Sequence, residues 1–335
     1  MSTIALCLTI VVFTSGCSSE SPLLIDTGAD NFAMGKFEED YFFTGSDEVL
    51  DELIDKYSGS YYQPTGTGMT DDQYDIAKDD SDKPDKSNND TSPKKLVYEI
   101  SCYDELVDAF HEAYKSTSIY LEYTCVGGYT INLGDVLEDI YRELQREDPI
   151  NVCGVGSWEW GVQSGTTLVK IVYQFSREEL INIKQETPKL VNIAVEEIRK
   201  KGNTDYELVC ATNKYLCDKV VYPSTEPYAP MTHTAYGALK NGSAVCEGYT
   251  CAAKLILEEL GIKCDIQVGM CSNGEGHAWN LVYLEGNWYQ MDITWNDGAT
   301  NITDYLLVTD DFMKKSRTWD TQDYPKTPTQ PYKAA

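Results

Sequence analysis

Hydrophobic and polar positions divide the chain into segments of different kinds. Met1 to Phe13 is almost wholly apolar and ends in the small residues Thr14-Ser15-Gly16 before Cys17. Residues 18–93 hold one apolar stripe at helical spacing, Val49, Leu50, Leu53, Ile54 and Tyr57, behind a Thr44 cap with Asp47. From Ser58 onward the segment turns to Gly, Ser, Thr, Pro, Asp and Asn, and almost no apolar side chain lies between Asp79 and Pro93. Regular periodicity begins near Lys94. Leu96 to Ile100 alternates as a strand, and Ser101 with Asp104 opens a helix through about Lys115. Thr117 to Val126 is β-rich, with Ile119, Leu121 and Tyr123 alternating with polar residues. Asn132 and Asp135 open a second helix to about Arg146. Residues 151–163 and 166–175 read as strands around Ser164-Gly165. The order β-α-β-α-β-β predicts a small α/β sandwich with its helices on one sheet face.

A second unit begins near Ser176. Thr187-Pro188 reads as a helix start, with proline at the first helical position. Val191, Ala194, Val195 and Ile198 continue at helical spacing, and Gly202 stops the run. Thr204 and Glu207 form a capping box for a helix through about Lys219. A loop rich in Pro and Tyr covers 222–232. Ala252, Leu255, Ile256 and Leu260 then mark one helix face after Cys246, and Gly261 caps it. His277 to Leu284 and Asn287 to Asp292 alternate as two strands around Glu285-Gly286. The expected division is a signal at 1–17, a disordered acidic linker at 18–93, an accessory α/β domain at 94–175, a main domain at 176–325 and a tail at 326–335.

Charge sharpens that division. The 335 residues carry a net charge of −27 with only 3 His. Residues 18–93 hold 19 acidic against 5 basic side chains, about half of the excess. That segment cannot bury enough surface to offset its ordering entropy, so it reads as a tether. A coil of its length spans roughly 50 Å. The acidity argues against nucleic acid, whose phosphates call for Lys and Arg, and against docking on anionic lipid by charge. The Asp-rich stretch lacks the Gly and terminal Glu of a calcium loop.

The candidate chemistry lies between 233 and 296. Cys246 falls at a helix N-terminus, where free backbone N–H groups and the helix dipole favour a thiolate and can hold a developing oxyanion. Taken alone, a buried structural cysteine fits the position equally well. The hairpin decides more. With Glu285-Gly286 as a two-residue loop, Leu284 faces Asn287 and Trp279 faces Asp292. His277 and Asp292 then become diagonal neighbours on one face, about 7–8 Å apart at the backbone and within side-chain reach. A loop at Gly286-Asn287 would separate them by about 13 Å along the strand, and a three-residue loop would put them on opposite faces. In the first register Asp292 orients the imidazole and His277 takes the thiol proton, a nucleophile–base–orienter set. Of the other two histidines, His111 lies inside a predicted helix and reads as structural. His233 lies in a loop and reads as a surface residue, with a role at the substrate edge as the alternative. Trp279 shares the His277 face, as cleft wall or as core, and Asn280 faces the other way as a structural residue.

Ala235-Tyr236-Gly237-Ala238-Leu239, Val245-Cys246-Glu247-Gly248-Tyr249, His277-Ala278-Trp279-Asn280 and Trp288-Tyr289-Gln290-Met291-Asp292-Ile293-Thr294-Trp295 together closely resemble the transglutaminase-like superfamily, over about 180–325. The resemblance implies an α+β, papain-like core in which the Cys helix packs on an antiparallel sheet carrying His and Asp on adjacent strands. By position it implies Cys246 as nucleophile, His277 as base and Asp292 as orienter. The implied reaction is acyl transfer on a peptide or protein amide through a thioester, resolved by an amine or by water, with no cofactor. The alternative is a catalytically silent relative used for binding or adhesion.

Ser15-Gly16-Cys17 after the apolar run resembles a bacterial lipoprotein cleavage site, which implies lipidation of Cys17 and a place on the outer face of the cell membrane; the alternative is an ordinary cleaved signal and a secreted protein. The expected partners are a peptide or protein substrate, cell-wall peptide among them, and the membrane through that lipid. Of 11 Cys, eight remain after Cys7, Cys17 and Cys246. They suffice for four disulfides. Cys210 and Cys217 lie about 10.5 Å apart on one helix and cannot bridge each other. Many of the eight fall on apolar faces, so reduced core thiols are expected. No C-x-x-C pair occurs, which argues against zinc.

Overall fold

The computed structural model describes residues 65–70, 73–75, 77–78, 95–225 and 229–334. The expected signal, Cys17 and the stripe at 49–57 lie outside these residues.

Strand β2 (Lys95–Ile100) and strand β3 (Tyr120–Cys125) pair in parallel, joined by helix α1 (Tyr103–Lys115). A parallel pair needs such a crossover, because no tight turn can reverse the chain twice. Cys102 takes the N-cap position, and Ser101 instead donates its N–H and Oγ to Glu105. Helix α2 (Leu133–Glu147) and the short α3 (Pro149–Val152) follow, then the hairpin β4 (Val155–Gln163) and β5 (Thr166–Tyr173). Leu121, Tyr123, Trp158, Val169 and Ile171 turn one sheet face to Phe110, Tyr114, Ile140 and Leu144 of the helices. The helices thus lie on one face, as the alternation requires. Trp158 Nε1 donates to Tyr114 Oη at 3.0 Å, which satisfies both polar tips inside that core.

One strand comes from the segment read as a tether. β1 (Thr65–Gly68) pairs in parallel with β4 and completes a sheet of order β1-β4-β5-β3-β2. Tyr74 and Ala77 bury against Tyr120 and Leu168 on the face opposite the helices. The sequence Thr-Gly-Thr-Gly has no apolar alternation, so periodicity does not mark it. Gly66 serves a close approach instead: a Cβ there would stand 2.6 Å from the Trp160 ring.

The second unit starts with α4 (Arg177–Ile198), capped by a Ser176–Glu179 box. It runs unbroken through Pro188, so Thr187-Pro188 is no helix start. An interior proline costs about 3 kcal/mol. Leu180, Ile183, Val191, Ala194, Val195 and Ile198 bury along the helix, each worth roughly 1.5–3 kcal/mol, or less for Ala. Packing therefore outweighs the local signal. Helix α5 (Asp205–Lys219) carries the expected Thr204–Glu207 box. Helix α6 (Cys246–Glu259) then packs on a wholly antiparallel sheet of order β10-β6-β7-β8-β9. Its strands are β6 (Cys264–Cys271), β7 (Gly276–Leu284), β8 (Asn287–Met291), β9 (Leu306–Val308) and β10 (Arg317–Thr318). Helix α7 (Ile293–Gly298) and helix α8 (Asp310–Met313) connect the last of them. Residues of the expected tail dock here too: the Tyr332 N–H donates to Leu307 O at 3.1 Å, and its ring stacks on Tyr206.

Among the described residues no helix is long and apolar enough to cross a membrane. None of the nine described cysteines forms a disulfide.

Candidate active site

The β7–β8 turn fixes the site. Glu285 and Gly286 both have positive φ, 48° and 87°, which a two-residue hairpin loop of this hand requires. Leu284 pairs with Asn287 and Asn280 with Met291, the register expected for that loop. Asp292 follows β8 directly and caps α7, its Oδ1 accepting the Trp295 N–H at 3.0 Å. Its backbone N–H donates to Tyr305 O. Its Oδ2 lies 2.8 Å from His277 Nε2. Both side chains are buried.

Asp292 has a second partner that sequence reasoning missed. Arg317 Nη1 donates to the same Oδ2. Arg317 is fully buried, and its guanidinium lies 4.0 Å from the Trp295 ring centre, 5.1 Å from Trp279 and 5.7 Å from Tyr305. Three aromatic faces thus surround the cation, a favourable setting once water is removed. Burial alone would raise the Asp292 carboxyl. The charges of His277 and Arg317 outweigh it and hold the group down at about 2. The site therefore contains a permanent carboxylate. A carboxylate can only accept, so Nε2 is the nitrogen that donates to it, and Asp292 leaves Nδ1 uncommitted. No sequence signal marks Arg317, which sits in a two-residue strand 25 positions after its partner.

Trp279 stacks on His277 at 5.8 Å between ring centres. Its Nε1 donates to Gln290 Oε1 at 2.6 Å, and Gln290 Nε2 donates to Asp310. The Trp279 ring is thereby locked as the wall on the imidazole. Asn280 faces the other way, donating to Thr250 O in α6 and to Asp265 O.

That amide also sets the helix direction. Thr250 lies beside Asn280, and one turn on, Lys254 Nζ donates to Cys264 O, next to Val282. Helix α6 and strand β7 therefore run the same way. One turn back from Thr250 is Cys246, so the nucleophile candidate and His277 occupy the same end of the helix–strand layer. Cys246 is fully buried. The first helical bond of α6 is Tyr249 N–H to Val245 O. The N–H groups of Cys246, Glu247 and Gly248 precede it and have no acceptor within the helix. Burial pushes Cys153, Cys217 and Cys271 up to about 12, and Cys251 and Cys264 are raised as well.

His233 is not a surface residue. It is nearly buried, with Nδ1 2.9 Å from Glu247 Oε2. The 230–233 turn that carries it packs against the first turn of α6, where Val245 N–H donates to Thr232 O at 3.0 Å. His111 contacts Asp148 at 2.9 Å, far from this set in the chain, in keeping with a structural role.

Residues 193–293 match the model of the Transglutaminase-like superfamily, a span that contains Cys246, His277 and Asp292. Kyphoscoliosis peptidase of Mus musculus is 28% identical over 127 residues, covering 34% of this chain and 19% of that protein. The same peptidase of Homo sapiens is 23% identical over 158 residues, covering 43% and 24%. The chain thus spans about a quarter or less of the curated relatives it matches. A crystal structure of a TGase is similar at a TM-score of 0.31 and 15% identity, over 52% of this chain and 51% of that one. The architecture is α+β, with the Cys246 helix on an antiparallel sheet, as the resemblance implies. Across residues 193–293 this chain carries a transglutaminase-like domain.

Proposed function

We propose that this protein is a cysteine acyl-transfer enzyme acting on peptide or protein amides, with Cys246 as nucleophile, His277 as base and Asp292 as orienter. The observation that supports the reading is the buried 2.8 Å contact between His277 Nε2 and Asp292 Oδ2, which leaves Nδ1 as the ring nitrogen for proton transfer. In the reaction Nδ1 accepts the Cys246 proton and the sulfur attacks the amide carbonyl carbon. The carbonyl oxygen takes the negative charge and is met by N–H groups of the first α6 turn. His277 gives its proton to the leaving nitrogen, and the C–N bond breaks to leave a thioester. An amine or water then attacks the thioester, loses its proton to Nδ1 and expels the thiolate. An amine gives transamidation; water gives deamidation or peptide cleavage.

The test is incorporation of a labelled amine into casein-like and cell-wall peptides, run beside cleavage of the same peptides, with Cys246→Ala as control. Site-resolved alkylation at pH 6 accompanies it, with a small reagent because Cys246 is buried. Turnover lost in Cys246→Ala, with Cys246 alkylating faster than the exposed Cys102, is the expected result. Absence of both sinks the reading.

The same proposal places the chain on the outer face of a cell membrane through lipid on Cys17. Labelling with a radioactive fatty acid tests this: the label is lost in Cys17→Ser, and its absence from the parent rejects the anchor.

A further inference from the structure

Two side chains from the last turn of α2, in the first unit, reach into the second. Gln145 Nε2 donates to Glu247 Oε1. Arg146 forks onto Asp265 of β6, with Nε 2.9 Å from Oδ1 and Nη2 on Oδ2. One acceptor adjoins the candidate site, and the other lies on the same sheet, four residues along β6 from the position that pairs with His277. Glu247 follows Cys246 directly. Asp265 pairs with Leu281 of β7, and its carbonyl takes the Asn280 amide that also holds Thr250 of α6.

Glu247 is an unusual choice for its place. It is a buried carboxylate in the first turn of the nucleophile's helix, where an apolar side chain would carry no desolvation cost. Both of its oxygens are occupied, Oε1 by Gln145 and Oε2 by His233 Nδ1 at 2.9 Å. Gln145 is itself only 4% exposed. A buried carboxylate stays where its donors are, because losing one leaves it under-satisfied. The first turn of α6 is thus pinned from two sides, by the 230–233 turn and by the first unit.

We propose that Gln145 and Arg146 are positioning residues for the acyl-transfer step. The 95–173 unit works as a clamp that fixes the start of α6, and with it the Cys246 thiol and the N–H groups beside it, against His277 on β7. This rests on the reading of Cys246 given above. The clamp works on the enzyme's own backbone, so its loss lowers kcat and leaves KM in place. A displacement of about 1 Å at a reacting group can cost about a hundredfold in rate.

The experiment uses the full chain with Gln145→Met, which keeps length but cannot donate, Gln145→Glu, which sets a like charge against Glu247, and the pair Arg146→Ala and Arg146→Lys. Each is assayed for kcat and KM on a peptide amide, for the pH dependence of Cys246 alkylation by iodoacetamide read by peptide mass mapping, and for thermal unfolding. Expected is a fall in kcat of about tenfold to a hundredfold for both Gln145 variants, with KM within about twofold. The alkylation midpoint rises in Gln145→Glu, and Arg146→Lys keeps most of what Arg146→Ala loses. A kcat within about twofold of the parent in both Gln145 variants overturns the clamp, as does a loss that matches the unfolded fraction alone. If Gln145→Met does not fold, the Arg146 pair and the alkylation profile of Gln145→Glu decide by the same criteria. The two ideas separate cleanly. A parent that turns over with unmoved variants rejects the clamp and keeps the enzyme. A parent without turnover whose Cys246 profile still shifts in Gln145→Glu keeps the clamp and rejects the amide chemistry.

Discussion

Asp292 and Arg317 form an ion pair in which neither side chain has any exposed surface. The oxygen that Arg317 contacts is the one that holds His277. Attraction between buried charges seldom exceeds the cost of drying them, yet removing one partner strands the other, at roughly 3–5 kcal/mol. Arg317→Met should therefore lower the unfolding free energy in urea by about 3 kcal/mol. The double variant Arg317→Met/Asp292→Leu should recover part of that stability and none of the activity. A loss under about 1 kcal/mol for the single variant would show that the pair does not anchor the site.

The same carboxylate gives a pH dependence of known sign. Asp292 is held at about 2 in the folded protein, against roughly 3.9 in an unfolded chain. A depressed carboxyl contributes stability that is present above the unfolded value and lost as pH falls through the folded one. That contribution is about 2–3 kcal/mol. It should disappear between about pH 4 and pH 2. Urea unfolding of the parent and of Asp292→Asn across this range measures it. The difference between the two proteins should shrink as the pH falls, and a constant difference would exclude Asp292 as the titrating group.

What the sequence made legible follows from what each signal depends on. The His277–Asp292 pairing depends on one local fact, the length of the Glu285-Gly286 loop, and every register position follows from it. Cys246 depends on another, the start of an apolar helical stripe. Arg317 depends on neither. Its role arises because β10 returns to the far edge of the sheet beside β6, and no periodicity reports where a two-residue strand lands. His233 and Gln145 are similar cases: their shared acceptor, Glu247, lies 14 and 102 positions away. Pro188 shows the opposite failure. Its local signal is strong and wrong, because tertiary burial along α4 carries the helix through it. Thr65–Gly68 carries no apolar signal at all and is held by backbone pairing to β4.

The turn itself can be tested by length. Inserting one glycine between Glu285 and Gly286 makes a three-residue loop and shifts the register by one, which turns every side chain of the shifted strand to the other face of the sheet. The core of the sheet, with Val282, Leu284, Tyr289 and Met291 buried on one face, resists that flip. The strain then falls on the strand ends, where Asp292 meets His277. Turnover should fall to the level of Cys246→Ala. Glu285→Asn, which keeps length and suits positive φ, should leave turnover unchanged and raise stability by up to about 1 kcal/mol. Equal behaviour of the two variants would mean that the loop does not set the site.

Gly248 offers the most local test of how closely α6 is seated. It lies two residues after Cys246, and a Cβ there would stand 3.0 Å from Thr234 O, 2.8 Å from the Ala244 Cβ and closer still to Thr232 O. Two of these neighbours are backbone carbonyls and cannot swing away. Gly248→Ala must therefore push the first turn of the helix off the 230–233 turn, even though alanine favours helix by about 1 kcal/mol over glycine. Helix propensity and seating thus predict opposite signs for stability. The seating argument expects a loss of about 1–3 kcal/mol and a fall in kcat/KM of roughly a hundredfold as Cys246 moves away from its working position. Urea unfolding and steady-state kinetics on the one variant read both quantities. A protein that gains stability and keeps its rate would show that the start of α6 is not held at the position described.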